Sequence, residues 1–421
     1  MVRLWLLIAS VLITLLSLRF YFFYANQPEL HDGQYLEFKT TLLSEPNMFS
    51  NYQQIIASPY GKEKIIIKIP RYPEFHYGQT LRISSTVHKQ VLSNKKTVMA
   101  MYFPKVKAEK NDKNMGLAIV STIRQRIISF FENTLPPDSS SLLLGIVFGI
   151  KEQMSKENFA QFRNAGVLHV IAASGMNVTM VGGFLSSFFA MFLRRQFALV
   201  LTILGICFYA VLAGLEPSIV RASIMGILVF CAQILGRQRL SVYSLFLAGF
   251  IMLFISPNLL FDVGFQLSFM ATLGLILIPK IRPARHASQT LRGVAGGGIG
   301  EDLLTTISAQ IATLPILLFS FGTYSLWSVV VNGLVLWVVP ILMMLGGIGA
   351  ILGLIIEPLG QVFLYLSLPF LLYFQEVIST FSRLGGLATI REFSWQLVVG
   401  YYCFLSAVLV FFYKGNNRSN N

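Results

Sequence analysis

Ser174 and His169 are the pair in this chain whose types could do covalent chemistry. A serine near an imidazole in apolar surroundings is the arrangement of an intramembrane serine protease, in which the imidazole takes the hydroxyl proton. Their stretch, 166–183, reads GVLHVIAASGMNVTMVGG. A spacing of five is about 500° on a helix, so the two side chains point about 140° apart. That disfavours a nucleophile–base pair on one helix. Other catalytic patterns lack their residues. There is no GxxxxGK[ST] to cradle a nucleotide phosphate. There is no HxH or HExxH, and the five histidines, His31, His76, His88, His169 and His286, are dispersed. The chain reads as a non-enzyme with no catalytic residue, cofactor or metal.

A larger set of polar residues sits inside apolar runs. His169, Ser174 and Asn177 share the 166–183 stretch with four glycines. Glu216-Pro217-Ser218 precedes Arg221, an arginine near a helix start. Asp262, Gln266 and Ser268 occur in LLFDVGFQLSF, Gln310 and Thr313 precede Pro315 in AQIATLP, and Asn332 sits in VVVNG. Each is costly against lipid, so each is expected to face a bundle interior or a wet cavity. Asp262 and Gln266 are four apart and are expected on one helix face. Taken singly, each is accounted for by interhelical hydrogen bonding, worth about 0.6–2 kcal/mol per contact. Taken as a set, with helices that are broken or too short to cross, they point to a polar passage. Its candidate lining is His169, Ser174, Asn177, Arg221, Asp262, Gln266, Gln310 and Asn332.

Holding such a set requires membrane helices, and the composition agrees. Of 421 residues, 54% are hydrophobic, and the mean hydropathy is +0.65. That excludes an ordinary soluble domain. The expected fold is a polytopic α-helical membrane protein of about ten spans plus interfacial and re-entrant helices, with an N-terminal extracytoplasmic small β-barrel (OB-like) domain. Residues 1–25 read as a first transmembrane helix with Arg3 at its cytoplasmic end. The run ends in aromatics and lacks a small-residue cleavage pattern, which favours a retained span over a signal peptide. Residues 26–115 form the β domain, 116–165 amphipathic and re-entrant helices, 166–414 the main transmembrane domain, and 415–421 a cytoplasmic polar tail. Within 116–165, an amphipathic helix at 117–135 lies in the interface plane. Asp138 is placed to cap the next helix. The nine-residue apolar run 142–150 is too short to span, with Gly145 and Gly149 as a close-packing face. Residues 155–165 are a second amphipathic piece, with Phe159 and Phe162 on one side.

Further spans are expected near 170–193, 197–214, 218–235, 241–256, 259–279, 300–318, 326–356, 359–381 and 395–413. The stretch 326–356 is too long for one simple crossing, and Pro340 with its glycine cluster predicts a break. The net charge is +14. Arg194-Arg195, Arg237 with Arg239, a basic cluster at 280–292, and Lys414 with Arg418 fall in loops or near the end of the chain. Alternate crossings from Arg3 put all of them inside, so both termini are predicted cytoplasmic and the β domain outside. Cys207, Cys231 and Cys403 lie in apolar runs and read as core or lipid-facing residues.

Positions 26–114 alternate polar and apolar residues in YLEFKTTLL, KIIIKIP and TLRISSTVH, the period-two pattern of half-buried strands. Five or so short strands suit a small Greek-key barrel. Residues 25–115 carry 13 Lys plus Arg against 8 Asp plus Glu. Interleaved Tyr52, Tyr60, Tyr72, Phe75, Tyr77, Tyr102 and Phe103 make a surface compatible with single-stranded nucleic acid, since bases stack on rings and phosphates pair with cations. The candidate contacts are Lys62, Lys64, Lys68, Arg71, Tyr72 and Arg82. The plainer alternative keeps the rings as core and the lysines as solubilising charge.

Five pieces in order, LLLGIVFGIKEQMS, FRNAGVLHVIAASGMNV, PSIVRASIMGIL with LGR, NLLFDVGFQLSFMATLG, and AQIATLPILLFSFG with SLWSVVVNG, cover about residues 140–355. In these the chain resembles the ComEC/Rec2 family of competence proteins. The upstream domain looks like that family's N-terminal OB-like domain. The resemblance implies a channel of the bacterial cytoplasmic membrane that takes up single-stranded DNA in natural transformation, with 166–414 as the competence-type channel domain. The strand would be captured by the outer domain and threaded along the polar seam, with Arg221 offsetting phosphate charge. The partners implied are single-stranded DNA, membrane lipid, an extracytoplasmic DNA receptor, a separate nuclease, a cytoplasmic translocase and a second copy of the chain. Two departures stand out. Family members read LLAISGLHVG where this chain has Gly175-Met176-Asn177, so an amide replaces an imidazole. Many also carry a C-terminal metallo-β-lactamase-like domain, and no HxHxDH precedes Asn421. The expectation is therefore a short form without its own nuclease. A small-molecule permease of related fold and the intramembrane serine protease are the alternatives.

Overall fold

Alternation in the N-terminal region becomes strands where the pattern places them. The computed structural model describes all residues except 1, 27, 29, 43–44, 50, 60–63, 92–96, 110–114, 152, 172–173, 237–240, 279–298, 390–393 and 419–421. Lys62, Tyr60, Arg237, Arg239 and the 280–292 cluster lie outside the described residues. Helix α1 (Val2–Ala25) is followed by β1 (Tyr35–Thr41), β2 (Asn47–Met48), β3 (Tyr52–Ala57), β4 (Ile65–Pro70), β5 (Thr80–Thr86), β6 (His88–Val91), β7 (Thr97–Tyr102) and β8 (Lys105–Glu109). They hydrogen-bond as two sheets, β1-β5-β8 and β2-β3-β4-β7-β6. Ile65, Ile67 and Ile69 of β4 point inward and are almost fully buried, with Leu36, Leu81, Ile83, Ile55 and Met101 from neighbouring strands. Both sheets thus share one apolar core, the outcome period-two patterning dictates. No pairing that would close them into a single barrel is seen among the described residues.

The helices follow as α2 (Met115–Thr134), α3 (Pro137–Phe148), α4 (Lys156–Ala165), α5 (Leu168–Ile171), α6 (Gly175–Phe192), α7 (Arg195–Leu212), α8 (Pro217–Ile234) and α9 (Ser241–Ile255). A 3-10 turn (Pro257–Phe261) precedes α10 (Val263–Leu277), and α11 (Ile299–Phe321) leads into β9 (Thr323–Ser325). The chain continues as α12 (Ser328–Val335), α13 (Val339–Ile355), α14 (Glu357–Arg383), β10 (Leu387–Thr389), which pairs antiparallel with β9, and α15 (Trp395–Arg418).

Two compact units emerge, one of residues 1–129 with 250–260 and the other of 130–249 with 261–421. In the first, Arg19 Nε donates to the Phe254 carbonyl at 3.0 Å and the Tyr24 hydroxyl to Asn258 Oδ1 at 3.1 Å. The amphipathic pattern of α2 buries Val120, Ile127, Ile128 and Phe131, and also Arg124, whose guanidinium lies 4.8 Å over the Tyr77 ring.

Among the described residues four helical stretches are long and apolar enough to cross a membrane: Leu168–Phe192, Arg195–Leu212, Pro217–Ile234 and Glu357–Arg383. Helices α12 and α13 make a fifth if counted as one span, bent by 50°. The predicted break is therefore present, and Pro340 sits in the first turn of α13, where its missing N–H costs nothing. Other expected spans are shorter apolar helices, among them Ser241–Ile255, Val263–Leu277 and Thr306–Phe321. The predicted run 259–279 is cut because Asp262 caps α10, its Oδ1 accepting from the Phe265 N–H at 3.2 Å. Asp262 thus stands outside the helix face it was expected to share with Gln266. Asp138 is not a cap either. Pro136 holds that position, and Asp138 Oδ1 accepts from Asn158 Nδ2 at 2.7 Å.

Helix α3 is buried from Ser139 to Phe148. Gly145 packs so closely on Ile171 of α5 that a Cβ there would lie 2.5 Å from its Cγ2. Gly149 has a different job, ending α3 in the left-handed conformation at φ 71°.

Candidate functional site

Three polar constellations occupy the interior of the helical unit. The first centres on Asn177, 1% exposed in the first turn of α6. The end of α3 leaves carbonyls that no helical N–H can reach. Gly149 and Ile150 N–H groups satisfy Gly145 and Leu144. Asn177 Nδ2 takes the Ile146 carbonyl at 2.7 Å, and the Tyr209 hydroxyl of α7 takes Val147 at 2.7 Å. Asn177 Oδ1 accepts from the Ser174 hydroxyl at 3.2 Å. Ser174 thus donates its proton to an amide, which is no base, and no hydrogen bond joins it to His169 among the described residues. His169 itself, on α5, is exposed.

The second constellation is Arg221 of α8, 5% exposed. Its Nε donates to Ser268 Oγ at 2.9 Å, and its Nη1 donates to Thr272 Oγ1 and lies 3.6 Å from Met225 Sδ. Ser268 and Thr272 are four apart, one face of α10. A Cβ on Gly175 would lie 3.0 Å from Arg221 Nη2, so this edge of the guanidinium abuts the start of α6. Gln266, two residues before Ser268 on α10, is half-buried.

The third joins α11, β9 and α12. Gln310 Nε2 donates to Ser328 Oγ at 2.9 Å and Oε1 accepts from the Tyr324 hydroxyl at 2.8 Å. Ser328 donates to the Gly166 carbonyl at 3.1 Å, and Asn332 Nδ2 reaches Ser328 at 3.5 Å. Asn332 Oδ1 and the hydroxyls of Ser308 and Ser325 are buried with no hydrogen-bond partner among the described residues.

Of the eight interior candidates, the structure pairs Ser174 with Asn177, places Arg221 beside Gly175, and links Gln310 to Asn332 through Ser328. Asp262 caps α10. Sequence reasoning missed Tyr209, Thr272, Tyr324 and Ser328. The signal for Thr272 was present, four residues after Ser268 in the same run. A lone hydroxyl such as Tyr209 in an apolar helix gave none.

On the β domain, the outward positions of three adjacent strands form a ladder. Lys68 Nζ lies 5.6 Å from the Tyr52 ring centre and 4.9 Å from that of Tyr102, and Phe49 stacks on Tyr52 at 4.6 Å. Tyr72, 68% exposed, carries Arg71 over its ring at 5.7 Å. Lys64 is exposed. Arg82 lies on β5, in the other sheet, 3.6 Å from Glu37. Phe75 and Tyr77 are core, as the plainer alternative held. Burial raises the Tyr77 hydroxyl above its usual range, with Arg124 pulling it down and Glu45 pushing it up.

The Competence protein family model matches residues 146–415, starting at the carbonyl that Asn177 holds. ComE operon protein 3 of Bacillus subtilis (strain 168) is 29% identical over 266 residues, 63% of this chain and 32% of that protein. An uncharacterized protein of Aquifex aeolicus (strain VF5) is 31% identical over 183 residues, 43% of this chain and 40% of that protein. The chain therefore spans less than half the length of these curated relatives. No solved structure matches. Since the match runs through all three constellations and over more than half of the residues, the chain belongs to the Competence protein family, of the ComEC/Rec2 type.

Proposed function

We propose that this chain is a cytoplasmic-membrane channel that admits single-stranded DNA during natural transformation. The observation that carries the reading is the competence-family match over helices whose interior is polar. In this reading both termini are cytoplasmic, α2 lies in the membrane interface and the β domain faces outward. Its Lys68 ladder captures the strand through stacking and charge. Arg71, Tyr72 and Lys64 extend that surface, with Lys62 and Arg82 as outlying cations. The strand then passes His169, Ser174, Arg221, Gln266, Gln310 and Asn332. Delivery by an extracytoplasmic receptor, traction by a cytoplasmic translocase and degradation of the other strand by a separate nuclease complete the proposal, with lipid and a second copy as further partners.

The test is uptake of labelled DNA by cells lacking this protein, complemented with wild type, Arg221→Gln or Gln266→Ala. Uptake should vanish without the protein and fall at least tenfold with Arg221→Gln, about 1.4 kcal/mol in the passage step. Normal uptake without the protein would sink the reading.

One observation favours the permease reading. A cleft of about 560 Å³ is lined by Asp138, Asn158, Gln161, Tyr373 and Glu376. Two carboxylates there suit a small cation or polar solute better than a polyanion. If Glu376→Gln abolishes a solute flux while DNA uptake persists, the permease reading replaces the channel.

A further inference from the structure

Helix α11 runs from Ile299 to Phe321 with Pro315 inside it. Proline has no N–H, and its ring crowds the carbonyl four residues back, so the Ile311 carbonyl lacks its helical donor. In apolar surroundings a neighbouring element must supply the missing bond. Here that element is α15. The Tyr401 hydroxyl donates to the Ile311 carbonyl at 2.9 Å, and the Tyr402 hydroxyl donates to the Ala312 carbonyl at 2.8 Å. Just before them, Thr313 Oγ1 donates to the Ala309 carbonyl at 2.8 Å and lies 3.4 Å from that of Gln310. Four consecutive carbonyls of one helical turn, Ala309 to Ala312, thus meet a side-chain hydroxyl. Proline and hydroxyls inserted beside the backbone ladder are the usual causes of helix bending. Pro315 removes the donor of Ile311 alone, so satisfying the proline does not account for the Tyr402 bond. Clamping the turn accounts for both. Gln310 lies in this turn, immediately before the first carbonyl that α15 holds. Its side chain bridges Ser328 and Tyr324, which belong to α12 and β9.

We propose that residues 309–315 of α11 are a hinge, and that Tyr401 and Tyr402 are the latch that holds it and thereby positions Gln310 toward Ser328. The use of Gln310 in passage rests on the channel reading above, whereas the hinge and its latch do not.

The test uses the full chain in lipid bilayers, with Cys207, Cys231 and Cys403 replaced by serine and spin labels on Ile307→Cys and Phe321→Cys. Both positions are exposed and flank Pro315, about 21 Å apart along a straight helix. Electron–electron resonance should give one narrow distance while both tyrosines are present. Tyr401→Phe with Tyr402→Phe keeps the rings and removes both donors, and should broaden or split the distribution. Adding Pro315→Ala returns the N–H that the Ile311 carbonyl lacks, so the distribution should narrow again, at a longer distance. A chain that had merely lost packing would not be rescued by that third substitution. An unchanged distribution in the double variant overturns the latch. A broadened one that Pro315→Ala does not narrow overturns the hinge. In cells, the double variant with native cysteines should take up DNA about tenfold less at unchanged membrane abundance. The triple variant should stay as low, because a straightened α11 no longer aims Gln310 at Ser328. Wild-type uptake by the double variant overturns the positioning of Gln310. Normal uptake by cells lacking the protein altogether removes the channel reading and leaves the distances to decide the hinge.

Discussion

Asn177 stands where the family resemblance leads one to expect a histidine, and its surroundings suit an amide. The amide has one donor on the Ile146 carbonyl and its oxygen on the Ser174 hydroxyl. A neutral imidazole also offers an N–H donor and an acceptor, so this position asks for hydrogen bonding and not for titration. Asn177→Ala leaves a buried carbonyl unmade and should cost about 1–3 kcal/mol in a thermal or denaturant melt, whereas Asn177→His should recover most of it. Equal melts for Ala and wild type would show that the cap carries nothing. The Lys68 ladder is the second residue-scale case. In the full chain, Lys68→Ala should reduce the salt slope of single-stranded DNA binding by about one. Tyr102→Ala should weaken binding by about 1–3 kcal/mol with the slope unchanged. Fluorescence anisotropy across a salt series checks both, and unchanged binding would return these residues to solubilising surface. Polar residues in apolar runs were legible as a set. Their pairings were not, because a partner such as Tyr209 or Ser328 is chosen by tertiary packing.

Elements whose signals are local came through. Strands β1, β4 and β5 follow from alternation, the α12–α13 break from Pro340, and α4 from Ser155, whose hydroxyl accepts the Asn158 N–H at 3.1 Å. Strand β2 has two residues and β6 four, too few for a period to show. Asp262 read as a helix-face residue because a cap and a first-turn residue share the same i, i+4 relation to Gln266. The α13–α14 pair illustrates packing that spacing alone does not disclose. A Cβ on Gly360 would lie 2.5 Å from the Gly353 backbone, so the helices touch main chain to main chain. Gly360→Ala must push them apart and should destabilise the chain by about 1–3 kcal/mol. A melt unchanged by that substitution would show that the crossing is loose.

At the scale of the molecule, membership in the competence family and the polar interior of the matched helices support one account. In the proposed account a strand is captured on aromatic and basic side chains, then drawn past α6 and α8. Of the basic loops that set the orientation in this account, Arg237 with Arg239 and the 280–292 cluster lie outside the described residues, whereas Arg194 and Arg195, between α6 and α7, are exposed. Passage past α6 is the step on which the account depends, and site-directed crosslinking reads it directly. Chain carrying Ser174→Cys with Cys207, Cys231 and Cys403 replaced by serine, loaded with a photoreactive maleimide and illuminated during uptake of radiolabelled DNA, should yield an adduct with single-stranded DNA that the same chain with Ser174 intact does not. Uptake proceeding normally in that chain with no adduct at position 174 would contradict it.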